Sequence, residues 1–294
     1  MFISGTPPPA SLVTVSCDLC GAPPGQPFVE KLGGYYTRCA DCGFVYANPR
    51  DPNPAIYNAA NNEALRGSYA AKQYSAAHQR IYAAQLRRLA RFRQTNRLLE
   101  VGCSTGGFCF RARQEGWDCV GLEPVGPVAA YGREFHHLDI RASTLEEAGL
   151  AENHFDVVFS NAVLEHVASP GSVLREVCRV LRPGGVVLTD TVNIDSYTWR
   201  FIGADWKLID PRAHLSLFAP PTLRRFCEQA GLRVLKTSTR GVRFRAGRAD
   251  RPVGWLRWYE ELVKFPFSLA ARVTLRGDRI AVLAQKPPLR APAA

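Results

Sequence analysis

The sequence predicts an α/β protein built on a mostly parallel sheet, and three observations carry that reading. Residues 97–108, RLLEVGCSTGGF, run an apolar strand into a glycine-rich turn that opens a helix. The next apolar segment, 117–122, ends in Glu123, 17 positions after Gly106. Strand-like and helix-like patterns then alternate to residue 285, as a sheet covered by helices requires. At the turn, Gly102, Gly106 and Gly107 allow backbone shapes closed to other residues, and the helix start offers unpaired N–H groups to a small polar ligand.

At 294 residues the chain can bury one α/β core and an appendage without disulfide staples, and 46% hydrophobic residues is a globular composition. No apolar run reaches the roughly 18 residues of a membrane span. Residues 1–15 lack the basic start and apolar centre of an export signal, so a cytoplasmic protein is expected. The formal charge of +11 raises nucleic-acid binding. Yet 31 of the 37 basic residues are Arg, a skew that genome base composition explains. The densest run, Arg87, Arg88, Arg91, Arg93 and Arg97, reads as the solvated face of a helix. Nucleic acid is therefore not the favoured partner.

Residues 1–14, with Pro7-Pro8-Pro9, read as a loose tail. Cys17-x2-Cys20 and Cys39-x2-Cys42 stand 18 residues apart, a spacing that suits a four-thiolate zinc site, and Gly21 and Gly43 suit the two knuckle turns. Disulfides do not fit a cytosolic chain, a redox pair needs no second copy, and four protein ligands leave no open position for catalysis. Residues 15–50 are thus expected to form a zinc ribbon that leaves through a strand at 43–50. A linker at 49–62 and a helix at 68–92 follow, the helix showing an apolar side of Tyr74, Ile81, Tyr82, Leu86 and Leu89.

Strands are predicted at 98–101, 117–122, 155–160, 186–192 and 232–239, with helices at 108–114, 171–181 and 222–230. Pro183, Gly184 and Gly185 should stop the second of these helices and Gly231 the third. A last strand at 278–285 would run antiparallel. Before it, residues 242–276 form an insertion with Trp255, Trp258, Tyr259, Phe265 and Phe267, suited to lining an acceptor, pairing copies or touching a membrane surface. Cys103, Cys109, Cys119, Cys178 and Cys227 read as small buried hydrophobes.

The turn itself admits two chemistries. Gly102-Cys103-Ser104-Thr105-Gly106 matches the G-x-S-x-G elbow of serine hydrolases, but no His-Gly oxyanion segment precedes it and Glu100 charges a strand that is apolar in the elbow. It also matches an E-x-G-x-x-x-G loop in which Glu100 has a use, and Glu123 is placed to accept the hydroxyls of a ribose. The segments LLEVGCSTGGF, GLEP, FDVVFSNAVLEHVASPGSVLREVCRVLRPGG and HLSLFAPPTLRRFCEQAGL, in that order across 98–231, resemble the class I S-adenosylmethionine-dependent methyltransferases, especially the small-molecule group with a zinc-binding N-terminus.

The resemblance implies a Rossmann-like sheet of seven strands with an antiparallel last strand, occupying 51–290 beside the ribbon. It implies S-adenosylmethionine as cofactor, with Glu100, Gly102, Ser104 and Gly106 at its methionine end and Glu123 at its ribose. Thr144 and Leu145 would edge the adenine, and Asn161 would reach the cofactor from the fourth strand's exit. Ser104 stands where the family more often has glycine. The helix at 68–92 would close over the cofactor, with Tyr57, Tyr69 and Tyr74 as caps. Residues 195–219 would cover the acceptor, walled by Tyr197, Trp199, Phe201, Trp206, His214 and Phe218.

Residues 160–163 lack the N/D-P-P-Y/F of enzymes that methylate base amines, whereas Leu164-Glu165-His166 resembles the small-molecule group. O- or C-methylation of a small acceptor is therefore expected. Alignment does most of the work in such a transfer, and a base is needed only where the attacking atom must lose a proton. His166 and His214 are the candidates. Two alternatives stay open: an RNA methyltransferase whose ribbon grips nucleic acid, and a zinc-dependent binding module that has lost activity. The oligomeric state is not legible.

Overall fold

The computed structural model describes residues 12–52, 67, 70–243 and 255–288, with backbone alone for 255–264. Residues 1–11 of the expected tail at 1–14, most of the linker, Tyr57, Tyr69 and the insertion's residues 244–254 lie outside the described residues, while Val13 bridges to Arg50.

Seven strands form the main sheet in the order β10-β11-β8-β7-β4-β5-β6. They are β4 (Arg97–Val101), β5 (Asp118–Leu122), β6 (Asp139–Arg141), β7 (Phe155–Asn161), β8 (Leu181–Val192), β10 (Arg233–Arg240) and β11 (Arg279–Gln285). β4 pairs parallel with β5 and β7, β5 with β6, and β7 with β8, whereas β11 runs antiparallel to both β8 and β10. Side chains alternate across the pleat. Leu98, Val157 and Val186 pack on one face with Leu86 and Leu89 of α1 (Ala76–Leu89) and with Phe108 of α2 (Gly107–Gln114). Leu99, Val158 and Val187 pack on the other with Leu174 and Val177 of α4 (Pro170–Val180) and with Leu223 and Phe226 of α6 (Pro220–Gln229). Each such side chain contributes about 1.5–3 kcal/mol on burial. The sheet has its apolar cover on both faces, which is why β7 reads FDVVFSN without alternation.

Two boundaries differ from expectation for physical reasons. The helix expected at 68–92 is interrupted: residues 70–73 are helical, Tyr74 and Ser75 leave the helix, and α1 restarts at Ala76 with Ser75 as its cap, the Oγ accepting from the His78 N–H. β8 runs through Arg182-Pro183-Gly184-Gly185 instead of starting after them. Gly184 is left-handed (φ +79°) and donates to the Lys286 carbonyl at 2.9 Å, and the pairing with β7 slips between Phe155 and Val157, so these residues form a bulge within the strand.

A second sheet, β1-β2-β3-β9, is antiparallel throughout. β1 (Gln26–Lys31), β2 (Gly34–Arg38) and β3 (Val45–Ala47) belong to the cysteine-bearing segment, but β9 (Ser216–Leu217) comes from far along the chain. Phe44 stacks with Tyr46 and meets Phe218 and Phe226, so this segment shares the core of the main body. Further helices are α3 (Gly126–His136), α5 (Tyr197–Ile202) and α7 (Trp255–Thr274), the last lying in the C-terminal part of the insertion before β11.

Candidate functional site

The strand order reverses between β4 and β7, and the crevice outside their carboxyl ends is where sheets of this kind receive ligands. The β4–α2 turn lies there. Gly102 has φ +70°, and a Cβ on it would stand 2.4 Å from Val163 Cγ2. Gly106, at φ +85°, would bring a Cβ within 2.6 Å of Ile140 Cδ1. Any other residue at either position both strains the backbone and collides. Ser104, between them, is also left-handed (φ +51°), which costs an L-residue about 1–2 kcal/mol.

Two buried carboxylates flank the turn. Glu100 accepts from the N–H and the thiol of Cys109 at 3.1 and 3.0 Å, and burial pushes its pKa up to about 8. Glu123 accepts from the Ser104 and Val125 N–H groups, one on each oxygen, at 3.0 and 2.9 Å. Burial still raises it above the usual carboxylate range. Each oxygen keeps a second lone pair. A cation placed beside these enclosed acids would favour their ionised forms, and the Glu123 oxygens could accept from vicinal hydroxyls.

The other predicted contacts sit around this turn unevenly. Thr144 bonds through Oγ1 to Glu147 Oε2 at 2.9 Å, while the Leu145 side chain is buried with Leu122 and Leu150 and so packs the core. Asn161 is exposed at the end of β7. Next to it Ala162 is left-handed (φ +59°) and donates to the Asp190 carbonyl. Tyr74 does close on the turn, its hydroxyl donating to the Thr105 carbonyl at 2.6 Å and its ring stacking on His136 at 4.0 Å. Gln73, not singled out in the sequence, accepts from the Gly107 N–H at 3.0 Å and the Thr105 hydroxyl at 2.9 Å, so it occupies the first amide of α2.

Beyond β7, ligand-type atoms of Glu165, His166 and His214 lie within 4.8 Å of one another. Nδ1 of His166 is 2.7 Å from the Ala213 carbonyl and Nδ1 of His214 is 2.7 Å from the Leu208 carbonyl. A carbonyl only accepts, so both Nδ1 atoms carry hydrogen and both Nε2 atoms are bare in the neutral rings. Burial, reinforced by His166, holds His214 below the ordinary histidine value. Burial alone would raise Glu165, but Arg279 and then the two imidazoles hold it below the usual carboxylate range. Its oxygens accept from Arg279 at 3.0 Å and Thr191 at 2.6 Å, so it acts as a fixed charge more than as a free metal ligand. Arg279 also pairs with Asp190 at 2.6 Å. An acid inside the strand segment VVLTDTV was the sequence signal for that pair.

The expected aromatic wall is only partly a wall. Trp206 and Phe218 are fully buried, Trp206 among Tyr36, Val45 and Leu217 and Phe218 against Phe44 and Phe226, because the second sheet docks there. Tyr197 and Trp199 are half-buried and Phe201 is half exposed.

The sulfurs of Cys17 and Cys42, and those of Cys20 and Cys39, stand 3.5 Å apart, with all four within 4.8 Å. A tetrahedral zinc with bonds of about 2.3 Å would separate them by about 3.8 Å, so the cage could hold one. The Gly21 and Gly43 N–H groups close the knuckles on the Cys17 and Cys39 carbonyls. Of the other cysteines, Cys103, Cys109 and Cys227 are buried and Cys119 and Cys178 half-buried.

A family model described as a methyltransferase domain matches residues 74–237, more than half of the chain. A ubiquinone biosynthesis O-methyltransferase of Aeromonas salmonicida is 33% identical over 150 residues, which are 47% of this chain and 63% of that protein. The like-named protein of Cereibacter sphaeroides is 31% identical over 170 residues, 54% of this chain and 66% of that one. The chain thus spans less than two thirds of the length of the curated relatives it matches. A SAM-dependent methyltransferase structure from Archaeoglobus fulgidus superposes with a TM-score of 0.51 at 18% identity, covering 74% of this chain and 98% of that one.

Proposed function

Because the chain belongs to the methyltransferase-domain family, we propose that it moves a methyl group from S-adenosylmethionine to oxygen or carbon of a small-molecule acceptor. The observation that carries the proposal is the pair of buried acids, Glu100 and Glu123, at the exits of adjacent parallel strands on either side of a bend with no side chain at Gly102 and Gly106. When bound, S-adenosylmethionine supplies a methyl carbon made electrophilic by its sulfonium.

Everything else falls to the chain's own residues. Glu100 would face the cationic amino-acid end and Glu123 the ribose hydroxyls, with Ser104, Thr144, Leu145 and Asn161 completing the rim through backbone and short polar groups. Tyr74 and Gln73 would shut the crevice over α2 and exclude water. His166 or His214, through a bare Nε2, would take the proton of an acceptor hydroxyl, with Glu165 stabilising the imidazolium that forms. Cys17, Cys20, Cys39 and Cys42 would hold a structural zinc within a ribbon at 15–50. The curated relatives' names favour oxygen as the methylated atom.

The test is label transfer from methyl-labelled S-adenosylmethionine to a panel of hydroxylated small acceptors, with His166→Gln and His214→Gln alongside. Turnover in the parent with a lowered kcat in at least one variant supports the reading. Absence of turnover together with salt-sensitive RNA binding would move the assignment to nucleic acid, the partner that a +11 chain admits.

A further inference from the structure

The two histidines stand on segments 48 residues apart, and each segment is fastened to the cysteine-bearing ribbon. Asp18 lies inside the first knuckle, between Cys17 and Cys20. Its oxygens accept from the Ser169 hydroxyl at 2.7 Å and the Gly171 N–H at 2.8 Å, where Ser169 is the N-cap of α4. A carboxylate there meets the positive end of an 11-residue helix as well as two donors. Arg50, at the ribbon's exit, donates to the Ala168 carbonyl at 2.9 Å. The loop that carries His166 is thereby tied at 168, 169 and 171.

The partner segment is tied as firmly. Tyr36 of β2 donates its hydroxyl to the His214 carbonyl itself at 2.6 Å, the Ala47 N–H donates to the Leu215 carbonyl at 2.8 Å, and β3 pairs with β9 through Val45–Leu217 and Tyr46–Ser216. The Ser216 N–H closes the circle on the Glu165 carbonyl at 3.1 Å. By contrast, Gln73, Tyr74, Glu100 and Glu123 bond to the turn and to their own neighbours.

We propose that the ribbon is the frame that sets the His166–His214 geometry, with Asp18 and Tyr36 as positioning residues. Closure of the Cys17–Cys20 knuckle by its metal fixes Asp18, which fixes the start of α4 and the loop before it. Loosening the ribbon then disturbs the acceptor side and spares the cofactor side. This rests on the proposed methyl transfer for its kinetic and cofactor-affinity arms, whereas histidine titration and amide protection read the coupling without either.

The experiment compares the parent with Asp18→Ala, Asp18→Asn and Tyr36→Phe in the full chain, and with parent protein treated with a zinc chelator. Histidine ring signals followed by NMR across pH give the titration of His166 and His214. Hydrogen exchange gives the protection of the Gly171 and Ser172 amides, and calorimetry gives S-adenosylmethionine affinity. The inference expects Asp18→Ala and chelation to shift both histidine titrations and deprotect the two amides. It expects cofactor affinity to stay within about threefold while kcat falls roughly tenfold or more, the scale on which small misplacements act. Tyr36→Phe should move the His214 titration alone, and Asp18→Asn should restore part of the loss. Histidine titrations that ignore both Asp18→Ala and chelation would overturn it, as would cofactor affinity falling in step with kcat, which would mean general unfolding.

Discussion

Glu100 is held largely protonated at neutral pH, because its folded pKa is about 8 against an ordinary 4.5. A folded value above the unfolded one makes its contribution fully present below about pH 4.5 and lost as the pH rises through 8. Glu100→Gln should therefore flatten the loss of stability of the ligand-free protein over that window, measured as denaturation midpoints against pH. A cationic ligand drawn to Glu100 would expel its proton. Near pH 7, binding of S-adenosylmethionine to the parent should release a proton that calorimetry in two buffers of different ionisation heat detects, and Glu100→Gln should not release it.

His214 carries the opposite sign. Burial lowers its folded pKa, so the unfolded chain binds more protons and stability falls as the pH drops from the ordinary histidine value through the depressed one. As a base His214 is neutral throughout the neutral range. The acid limb of kcat/KM should lie below the ordinary histidine value, and a limb at or above it would exclude His214 as the base. Glu100 and Glu123 stood out in the sequence as acids at the ends of apolar strands, and the structure buries both. The sequence was silent on Gln73 and Asp18, whose amide and carboxylate are ordinary surface chemistry until the fold brings a helix N-terminus to them.

Among the elements, the pairing of β8 with β11 depends on a buried charge network. Arg279 bridges Glu165 and Asp190, and Arg240 reaches Asp190 at 3.1 Å. Replacing one partner of a buried pair strands the other, at a cost of about 3–5 kcal/mol. Arg279→Leu should destabilise by that order in chemical denaturation, and less in acid, where Glu165 can take a proton. Most strands and helices of the main sheet were legible because a sheet covered on both faces demands continuous apolar runs, and Gly231 ends α6 as expected, but the three-residue β6 and the helix α3 before it were not placed from the sequence. The Pro-Gly-Gly after α4 misled because a bulge and a turn share the same residues, and only the partner strand decides between them. Trp206 and Phe218 misled similarly. Their burial is imposed by the docked ribbon, whose fourth strand comes from 216–217, a long-range pairing that leaves no local pattern.

For the molecule as a whole, the ribbon and the main sheet share one core through Phe44, Phe218 and Phe226. Chelation of a bound zinc should lower the melting temperature of the entire protein in a single transition, and two separate transitions would show the ribbon to be independent. The fold class, the order of the elements and the cysteine site could be read because each rests on spacing along the chain. The division at residue 50 could not be tested that way, since strand exchange across it depends on the docked structure. Among the described residues no helix is long and apolar enough to cross a membrane.

Whether Glu100 and Glu123 together hold S-adenosylmethionine at the β4–α2 bend is decided by titration calorimetry with purified protein. A measurable heat is expected for S-adenosylmethionine and for its demethylated product, with affinity reduced about tenfold or more in Glu123→Ala, the loss of roughly 1.4 kcal/mol or more. No heat for either compound, or a Glu123→Ala protein that binds like the parent, would rule that role out.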